Sequence, residues 1–438
     1  MQPVRVGLLG LGTVGGGMVN VLARNGEEIA RRAGRRIEVL QAAVRDPSRS
    51  RICDTAGLAL TDQVMEVVDH PDIDVVVELM GGTDAALEVV MAALANGKHV
   101  VTANKALIAL HGNEIFQQAQ ARGLMVAFEA AVAGGIPIIK AIREGLAGNR
   151  IEWLAGIING TGNFILTQMR EQARDFSEVL AEAQALGYAE ADPAFDIEGI
   201  DAAHKLAILA SIAFGIPLQF ERVYTEGITR VTQEDIRHAG ELGYVIKHLG
   251  IARRREDGVE LRVHPTLIPE RRLIANVNGV MNAILVQADA VGSTLYYGAG
   301  AGAEPTASAV IADLVDVIRA MTTDPASRVP YLAFKPNRMT DLAVLPMADT
   351  QTAYYLRMQV DDTPGVLAEI ATILGTTGIS IEAVVQPEPP KGSDKARLIL
   401  LTHRVFEKQL TEAIAQMEQL EVVSGSITRI RLEHLNGA

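Results

Sequence analysis

The segment GYAEADPAFDIEGIDAAHKLAILA, from Gly187 to Ala210, concentrates the residue types best suited to acid–base chemistry. A single cation, Lys205, directly precedes the apolar run at its end. The acids before Lys205 are Glu190, Asp192, Asp196, Glu198 and Asp201. Lysine and carboxylate side chains are rarely buried without a partner, because an unpaired buried charge is costly. Asp201 and Lys205 are four residues apart with the acid first, so they share one helix face in the favourable orientation.

Two interpretations of this pair follow from the residues alone. If the helix is buried, as the apolar run after Lys205 indicates, the ion pair costs stability, which favours a functional role for it. A lysine held by carboxylates can move a proton to or from an alcohol oxygen, as hydride transfer to an aldehyde requires. Glu190, Asp192 and Asp196 would then provide polar partners at a substrate site. If the helix is exposed, the pair stabilises the helix only slightly and carries no function.

The composition describes an ordinary globular protein and excludes several classes. The 438 residues are too many for one core, and 48% are hydrophobic while 21% are charged. A net charge of −13 argues against nucleic acid as the main partner. No apolar run approaches the roughly 18 residues that span a bilayer. The single cysteine, Cys53, excludes an internal disulfide and fits a reducing compartment. We therefore expect a cytoplasmic protein without a membrane segment.

Residues 1–135 alternate short apolar runs with helical segments. The runs VRVGLLG, IEVLQAAV, VVVELM, HVVTA and LMVAFEA are rich in β-branched residues and are separated by segments such as TDAALEVVMAALANGK. Continuous apolar strands separated by helices indicate parallel strands that are buried on both faces. The prediction is an α/β fold with a doubly wound sheet.

A glycine-rich turn follows the first of these strands. It is GLGTVG, with the residues Gly10, Leu11, Gly12, Thr13, Val14 and Gly15. Glycines at this spacing let the backbone approach a pyrophosphate, which sits at the N-terminus of the following helix. Strand, turn, helix and second strand agree, so the sequence predicts a dinucleotide site. The alternative is a tight strand–helix turn without a ligand.

The end of the second strand bears on cofactor choice. An acid at this position selects the ribose 2′-hydroxyl of NAD, whereas an arginine accommodates the 2′-phosphate of NADP. Arg45 precedes Asp46 there, and Arg49 is near, which favours NADP over NAD. The alternative places Arg45 on the surface and Asp46 in a turn.

Three further segments carry candidate residues. Lys105 follows a strand and begins a helix, against the preference of the helix dipole, so it is a candidate for contact with a cofactor or a substrate carbonyl. Glu129, with the glycine pair after it in FEAAVAGGIPII, could hold a hard monovalent cation or mark a hinge between domains. The glycine-rich loop before residues 304–320 precedes a helix that could close over the cofactor and that Thr306 or Ser308 would cap.

The rest of the chain changes character twice. Residues 136–321 have longer helices and more widely spaced strands, which predicts an α+β domain, and residues 322–350 contain four prolines and are predicted to be a linker. Residues 351–438 follow the order β-α-β-β-α-β of a ferredoxin-like domain. We expect the N-terminal domain to be completed by the helix near 304–320.

Seven motifs occur in one order along residues 4–318: GLGTVG, VVELMGG, TANKALIA, EAAVAGGIP, NGTGNFIL, AEADPAFDIEGIDAAHKLAIL and GAGAEPTASAV. With them the chain strongly resembles homoserine dehydrogenases, and the tail resembles the ACT domain of the longer bacterial members. The resemblance implies a Rossmann domain, an α+β catalytic and dimerisation domain and an ACT domain. It also implies reversible reduction of L-aspartate 4-semialdehyde to L-homoserine by NADP(H) or NAD(H), toward threonine, methionine and isoleucine, in a homodimer or homotetramer.

Roles for individual residues follow by matching position. The resemblance makes Lys205 the proton donor or acceptor and Lys105 a second essential lysine beside the nicotinamide. The substrate ligands it implies are Glu190, Asp196, Asp201, Thr161 and Gly160. The cofactor contacts beyond the glycine-rich turn and Arg45 are Lys105, Gly302 and Glu304. A sodium ion would be held by Glu129 with the backbone of Val132, Gly134 and Ile136.

The ACT domain implies binding of an amino acid, L-threonine by analogy, and feedback inhibition. The turn DDTPG fits that role, but Ser380 stands where many amino-acid-binding ACT domains carry asparagine. A domain that only drives oligomerisation is the alternative.

Other functions remain open. A related dehydrogenase could act on another amino-acid semialdehyde, and a non-catalytic sensor could report NADP(H) through the ACT domain. An aspartate-semialdehyde dehydrogenase needs a nucleophilic cysteine, and Cys53 is misplaced for it. We expect no fusion to aspartokinase, because the assigned domains leave no residues for a kinase domain.

Overall fold

The structure is a computed structural model that describes residues 2–388 and 394–436. Its strands are β1 (Val4–Leu9), β2 (Ile37–Ala43), β3 (Ala59–Thr61), β4 (Val75–Glu78), β5 (His99–Thr102), β6 (Val126–Ala127), β7 (Ile151–Ile157), β8 (Tyr224–Thr225), β9 (Tyr244–Arg254), β10 (Val259–Pro269), β11 (Met281–Ala288), β12 (Gly292–Ala299), β13 (Gln351–Asp361), β14 (Ile381–Val385), β15 (Lys395–Thr402), β16 (Val405–Phe406) and β17 (Val423–Leu432). Its α-helices are α1 (Thr13–Ala33), α2 (Val64–Asp69), α3 (Asp84–Ala95), α4 (Lys105–Ala121), α5 (Ile138–Lys140), α6 (Gly160–Gln172), α7 (Phe176–Ala185), α8 (Ala194–Ile197), α9 (Ile200–Phe214), α10 (Gln233–Glu241), α11 (Ala303–Ala320), α12 (Val366–Thr376) and α13 (Glu407–Met417).

The chain forms two compact units. The first contains the residues up to Gly160 together with Ile200–Val223 and Val280–Leu342. The second contains Thr161–Gly199, Tyr224–Gly279 and the residues from Ala343 onward. Each unit therefore combines segments that are distant in the chain.

A parallel sheet forms the centre of the first unit. Its strand order is β3-β2-β1-β4-β5-β6, and every neighbouring pair is parallel. The direction of winding reverses between β1 and β4, and ligands of such sheets bind at the carboxyl ends of the strands there. Apolar residues fill the strands, as in β4, where Val75, Val76 and Val77 are all buried. The doubly wound sheet that the sequence predicts is confirmed; the short strand β3 was not predicted.

Helix α11 returns late in the chain to pack on α1 in the same unit. Leu314 and Val310 of α11 join the core formed by Val6 and Leu8 of β1. The helix begins at Ala303 and its N-cap is Gly302, without a side-chain cap, so the predicted cap at Thr306 or Ser308 is wrong. The reason is the φ of +129° at Gly302, because glycine turns the chain into the helix without a capping side chain.

The first unit also contains the antiparallel strands β12-β11-β7 and helix α9. Helix α9 is nearly all buried, and it packs against α4. Residues of the predicted linker pack on this unit: the ring of Tyr331 stacks on Phe116 with centroids 5.0 Å apart, and its hydroxyl donates to the Leu124 carbonyl at 2.5 Å.

The second unit holds the predicted βαββαβ domain, with the antiparallel strand order β17-β13-β15-β14. Successive residues of β13 face opposite sides of this sheet. Tyr354 packs with α12 and α13 through Ile370 and Leu410, whereas Tyr355 packs in a second core that includes Ile236 of α10. The hairpin β9–β10 continues the sheet through a parallel pairing of β10 with β17. Among the described residues, no helix has the length and apolar character to cross a membrane.

Candidate active site

The glycine-rich turn connects β1 to α1 in the first unit. Gly10 adopts a φ of +99°, and a Cβ at Gly15 would overlap the Gly10 carbonyl oxygen. A Cβ at Gly17 would lie 2.5 Å from the Ala303 carbonyl, so this glycine lets α11 approach α1. No described atom lies within 4 Å of a Cβ built at Gly12, which leaves the N-terminus of α1 open there. Such an open helix N-terminus, with its unpaired N–H groups, suits a pyrophosphate.

Side chains near this turn are held by local hydrogen bonds. Glu304, in the first turn of α11, accepts two hydrogen bonds from the Arg24 guanidinium, each at 2.8 Å. Gly302 precedes it in the N-cap position. Thr13 is the first residue of α1 and Val14 packs at the edge of the core. The predicted cofactor residues of the turn and of α11 therefore lie within one unit.

The end of β2 leaves Arg45 exposed. Asp46 accepts hydrogen bonds from the Ser48 hydroxyl and backbone, and these bonds lower the pKa of its carboxyl. Arg51 donates to the carbonyls of Asp46 at 2.5 Å and of Leu11 at 3.2 Å, and so ties this loop to the glycine-rich turn. No sequence pattern singles out Arg51 among the neighbouring arginines.

The loops after β4 and β5 are joined by two buried polar residues. Glu78 accepts from the Thr102 hydroxyl at 2.6 Å and from the Met80 backbone at 2.8 Å. Asn104 caps α4 by accepting from the Leu107 backbone, and its amide donates to the Gly82 carbonyl at 2.6 Å. Together they fix the start of α4, where Lys105 stands. Neither residue was predicted as a candidate.

Asp201 is the centre of a charged cluster in the first unit. Its Oδ2 accepts from Lys205 Nζ at 2.7 Å and from the Asn159 amide at 2.8 Å, and its Oδ1 lies 3.1 Å from Lys105 Nζ. Lys205 also donates to the Ile158 carbonyl at 2.7 Å. Asp201 is 3% exposed. Burial alone would raise the pKa of its carboxyl, but Lys205 and Lys105 hold that pKa well below its usual value.

This cluster joins residues that the chain separates widely. Helix α4 provides Lys105, α9 provides Asp201 and Lys205, and the segment after β7 provides Asn159. A carboxylate that stays ionised between two lysines keeps both ammonium groups in fixed positions. An ammonium group held in this way can donate a proton to an oxygen atom, and its neutral amine form can accept one.

His204, beside Lys205 on α9, does not add a second acid–base group near neutral pH. Its ring packs on Phe220 with centroids 4.1 Å apart, and burial lowers the pKa of its imidazole to about 4. The imidazole is therefore neutral at physiological pH.

The other predicted substrate residues, except Gly160, belong to the second unit. Glu190 is exposed and Asp196 is half-buried. The backbone around Glu190 is held by Gln184, whose amide donates to the Glu190 carbonyl at 3.1 Å, and the Thr161 hydroxyl donates to the Tyr188 carbonyl at 2.7 Å. Gly160 lies in the first unit, where a Cβ would approach the Val280 carbonyl to 2.8 Å.

A buried lysine that was not predicted holds the helix after Gly160. Lys247 Nζ donates to the Val277 carbonyl at 2.6 Å and to the Asn163 and Asn278 side chains, each at 3.1 Å. Burial lowers the pKa of this ammonium to about 7. The Asn163 amide also donates to the Val277 carbonyl, at 3.1 Å. Lys247 therefore fixes Asn163, the last residue of the NGTGN motif, within the second unit.

Glu129 is buried at the end of the parallel sheet in the first unit. Its carboxylate accepts from the backbone N–H groups of Ile139 at 2.9 Å and Lys140 at 2.8 Å. Burial raises the pKa of this carboxyl to about 7, against these two bonds. The intervening loop turns through Ala133 and Gly134, with φ values of +56° and +45°, and contains the carbonyls of the predicted cation site.

Comparisons with known proteins identify the family. Three family profiles match the chain: homoserine dehydrogenase over residues 137–315, the homoserine dehydrogenase NAD binding domain over residues 10–129, and the ACT domain over residues 354–422. Homoserine dehydrogenase of Pseudomonas aeruginosa is 66% identical over 436 residues, and that of Neisseria gonorrhoeae is 55% identical over 440 residues. In both, the alignment covers 100% of each chain.

Comparison with solved structures points to the same family. A crystal structure of a homoserine dehydrogenase from Thiobacillus denitrificans superposes with a TM-score of 0.95 at 64% identity, covering 100% of this chain and 99% of that chain. The resemblance seen in the sequence is thereby confirmed, and the chain belongs to the homoserine dehydrogenase family.

Proposed function

We propose that the chain interconverts L-homoserine and L-aspartate 4-semialdehyde, with Lys205 and Lys105 as the two lysines at the reacting oxygen. The observation that supports this most strongly is the pairing of one buried carboxylate, Asp201, with both ammonium groups. The oxidised substrate loses a hydride from carbon and a proton from oxygen. The proposed nicotinamide cofactor would supply the hydride acceptor. A lysine in its neutral amine form would accept the proton and become an ammonium group. In the reverse direction the ammonium group returns the proton to the aldehyde oxygen.

The two lysines differ in their surroundings. The Lys205 side chain is 12% exposed and is held by Asp201 and a backbone carbonyl, whereas the Lys105 side chain is 34% exposed. The more constrained group is better placed to meet a reacting oxygen in one geometry. We therefore assign proton transfer to Lys205 and substrate and nicotinamide contact to Lys105.

Recognition of the amino-acid part of the substrate is assigned to residues outside the lysine cluster. Glu190 and Asp196 would pair with the ammonium group of homoserine, and Thr161 and Gly160 would line the junction of substrate and cofactor. Exposure of Glu190 supports this assignment because the carboxylate remains accessible to a ligand. Charged hydrogen bonds of this kind are the strong ones.

The cofactor is proposed to be NADP, with NAD as the alternative. The open Cβ position of Gly12 and the turn at Gly10 suit a pyrophosphate, and Glu304 and Gly302 would lie beside it. Arg45 supports NADP because its exposed guanidinium follows β2, where a 2′-phosphate is recognised in this fold.

A sodium ion is proposed at the Glu129 loop. A hard monovalent cation prefers oxygen ligands, and the carboxylate of Glu129 with the carbonyls of Val132, Gly134 and Ile136 would provide them. The raised pKa of Glu129 supports the fit, since a buried carboxylate gains from a neighbouring cation. The ion would fix the loop and would take no part in proton transfer.

Regulation and assembly complete the proposal. The ACT domain would bind L-threonine, a product of the pathway that also leads to methionine and isoleucine. Bound threonine would lower the rate of homoserine turnover. The exposed Ser380, where other ACT domains carry asparagine, bears on which amino acid binds. We propose a homodimer or homotetramer built through the middle domain, in the cytoplasm, where an unpaired cysteine such as Cys53 stays reduced.

The proposed function is tested by reduction of NADP and of NAD, measured separately, by the purified protein with L-homoserine. We expect turnover with both, a higher kcat/KM for NADP, and inhibition by added L-threonine. Folded protein that binds nucleotide and fails to oxidise homoserine would contradict the assignment.

A further inference from the structure

We infer that Arg431, in the last strand of the ACT domain, is a positioning residue for substrate binding. It acts through Glu226 on the acidic segment, defined as residues 190–198. This inference rests on the proposed role of Glu190 and Asp196 in that segment. All the residues that carry it belong to the second unit.

The Arg431 guanidinium is completely buried and shared between two carboxylates. Its Nε and Nη2 donate to both oxygens of Glu407, the first residue of α13, at 2.9 Å and 2.6 Å. Its Nη1 donates to Glu226 Oε2 at 2.8 Å. Arginine is suited to such bridging because its planar fork presents several donors in fixed directions.

Tyr224 reinforces the contact with Glu226. Its hydroxyl donates to the same Glu226 oxygen at 2.9 Å, and the Arg431 guanidinium lies 5.1 Å from the centre of its ring. The backbone of Glu226 is fixed as well, because its N–H donates to the Val263 carbonyl at 2.8 Å and its carbonyl lies 2.9 Å from His248 Nε2. Glu226 therefore has little freedom while Arg431 holds it.

The residues after Glu226 contact the acidic segment directly. The Ile228 backbone N–H donates to the Ile197 carbonyl at 2.8 Å, and the Thr229 hydroxyl lies 3.3 Å from Glu198 Oε1. A Cβ at Gly227 would lie 2.6 Å from the Ile197 carbonyl. Because of this close packing, residues 227–229 cannot shift without moving residues 197–198 of the acidic segment.

Removal of the Glu226 charge would break one half of this bridge and keep the other. Arg431 would remain paired with Glu407, so the ACT domain would keep its buried ion pair. The acidic segment would lose the constraint that Glu226 transmits to Ile197 and Glu198. We expect weaker binding of homoserine with little change in the chemical step.

The test compares Glu226→Gln with Arg429→Gln. Arg429 pairs with the same Glu407 at 3.1 Å rather than with Glu226, and its own side chain is 27% exposed. For Glu226→Gln we expect the KM for homoserine to rise about fivefold or more, with kcat and the KM for NADP within about twofold of wild type. Arg429→Gln keeps the wild-type KM for homoserine.

Hydrogen exchange provides a readout that does not depend on activity. Backbone amides of residues 190–198 should exchange faster in Glu226→Gln than in wild type or in Arg429→Gln. A second variant, Thr229→Val, removes the hydroxyl of an exposed residue, so we expect it to keep the fold. It should raise the same KM and the same exchange rates to a smaller extent.

Unchanged exchange of the acidic segment in folded Glu226→Gln would overturn the inference. An equal loss of kcat and Tm in both Glu226→Gln and Arg429→Gln, with no selective change in the KM for homoserine, would overturn it too, since the cluster would then be purely structural. Absence of homoserine turnover in the wild-type protein would refute the proposed function and would leave the exchange result to decide the positioning role.

Discussion

Lys205 and Asp201 are one helical turn apart on α9 and meet through a hydrogen bond of 2.7 Å between Nζ and Oδ2. The same carboxylate faces Lys105 Nζ at 3.1 Å. One buried acid therefore sets the positions of two cations that come from different helices.

Asp201→Asn should reduce kcat by about 100-fold or more, because the lysines lose the charge that holds them and repel each other. The measurement is the initial rate of NADP reduction with homoserine. Asp349→Asn is the matched control, since Asp349 forms an exposed pair with Lys408 at 3.0 Å and should leave the rate unchanged. Equal rates for the two variants would refute the role of Asp201.

Gly12→Ala should weaken nucleotide binding without loss of stability. The added methyl group meets no protein atom within 4 Å, so it would obstruct only a bound pyrophosphate. Gly26→Ala, further along α1 and also in open space, should stabilise the protein by about 0.5–1 kcal/mol and leave binding intact. Titration of NADPH by fluorescence and thermal unfolding check both effects. Unchanged affinity of Gly12→Ala would place the pyrophosphate elsewhere.

Arg45→Ala should lower kcat/KM for NADP by about 10-fold or more and leave that for NAD nearly unchanged, because only the 2′-phosphate requires the guanidinium. Arg36→Ala is the control, since Arg36 is an exposed arginine at the opposite end of β2. A parallel loss with both cofactors would mean that Arg45 acts on the shared part of the nucleotide or on the fold.

The Glu129 loop predicts coupled effects of pH and sodium. The folded pKa of about 7 exceeds the ordinary value of 4.5, so the stability that Glu129 contributes is full below pH 4.5 and is lost as pH rises through 7. In sodium-free buffer the free energy of unfolding should therefore fall by on the order of 3 kcal/mol across this window.

Sodium should restore that stability at pH 8, since the cation would stabilise the ionised carboxylate. Thermal unfolding in sodium chloride and in choline chloride measures the difference, and Glu129→Gln should abolish it. Glu144→Gln is the control because Glu144 lies in the same segment and pairs with Arg143 at 2.9 Å. A sodium effect that persists in Glu129→Gln would place the ion at another site.

Much of the fold could be predicted because its signals are local. Val75, Val76 and Val77 of β4 form a continuous β-branched run, and the spacing of Asp201 and Lys205 puts both on one helix face. The start of α11 was mispredicted because the capping signal there is the backbone of Gly302 rather than a side chain. Short strands such as β3 leave too few residues for a periodic signal.

The site was less accessible to prediction because its contacts are long-range. Lys105 reaches Asp201 only because α4 packs on α9, and no local pattern encodes that packing. Asn159 is the first residue of the NGTGN motif, yet its hydrogen bond to Asp201 depends on the same packing of distant segments. The Arg431 bridge joins parts of the chain more than 200 residues apart and had no signal in the sequence.

Proton transfer by Lys205 is the central step of the proposed oxidation of homoserine. The direct measurement is turnover of homoserine by Lys205→Met, with NADPH affinity and thermal unfolding recorded on the same sample, and Lys408→Met as a control for loss of an exposed lysine. We predict a fall in kcat of about 100-fold or more with nucleotide affinity near that of wild type. A folded Lys205→Met protein that oxidises homoserine at a rate close to wild type would contradict the account.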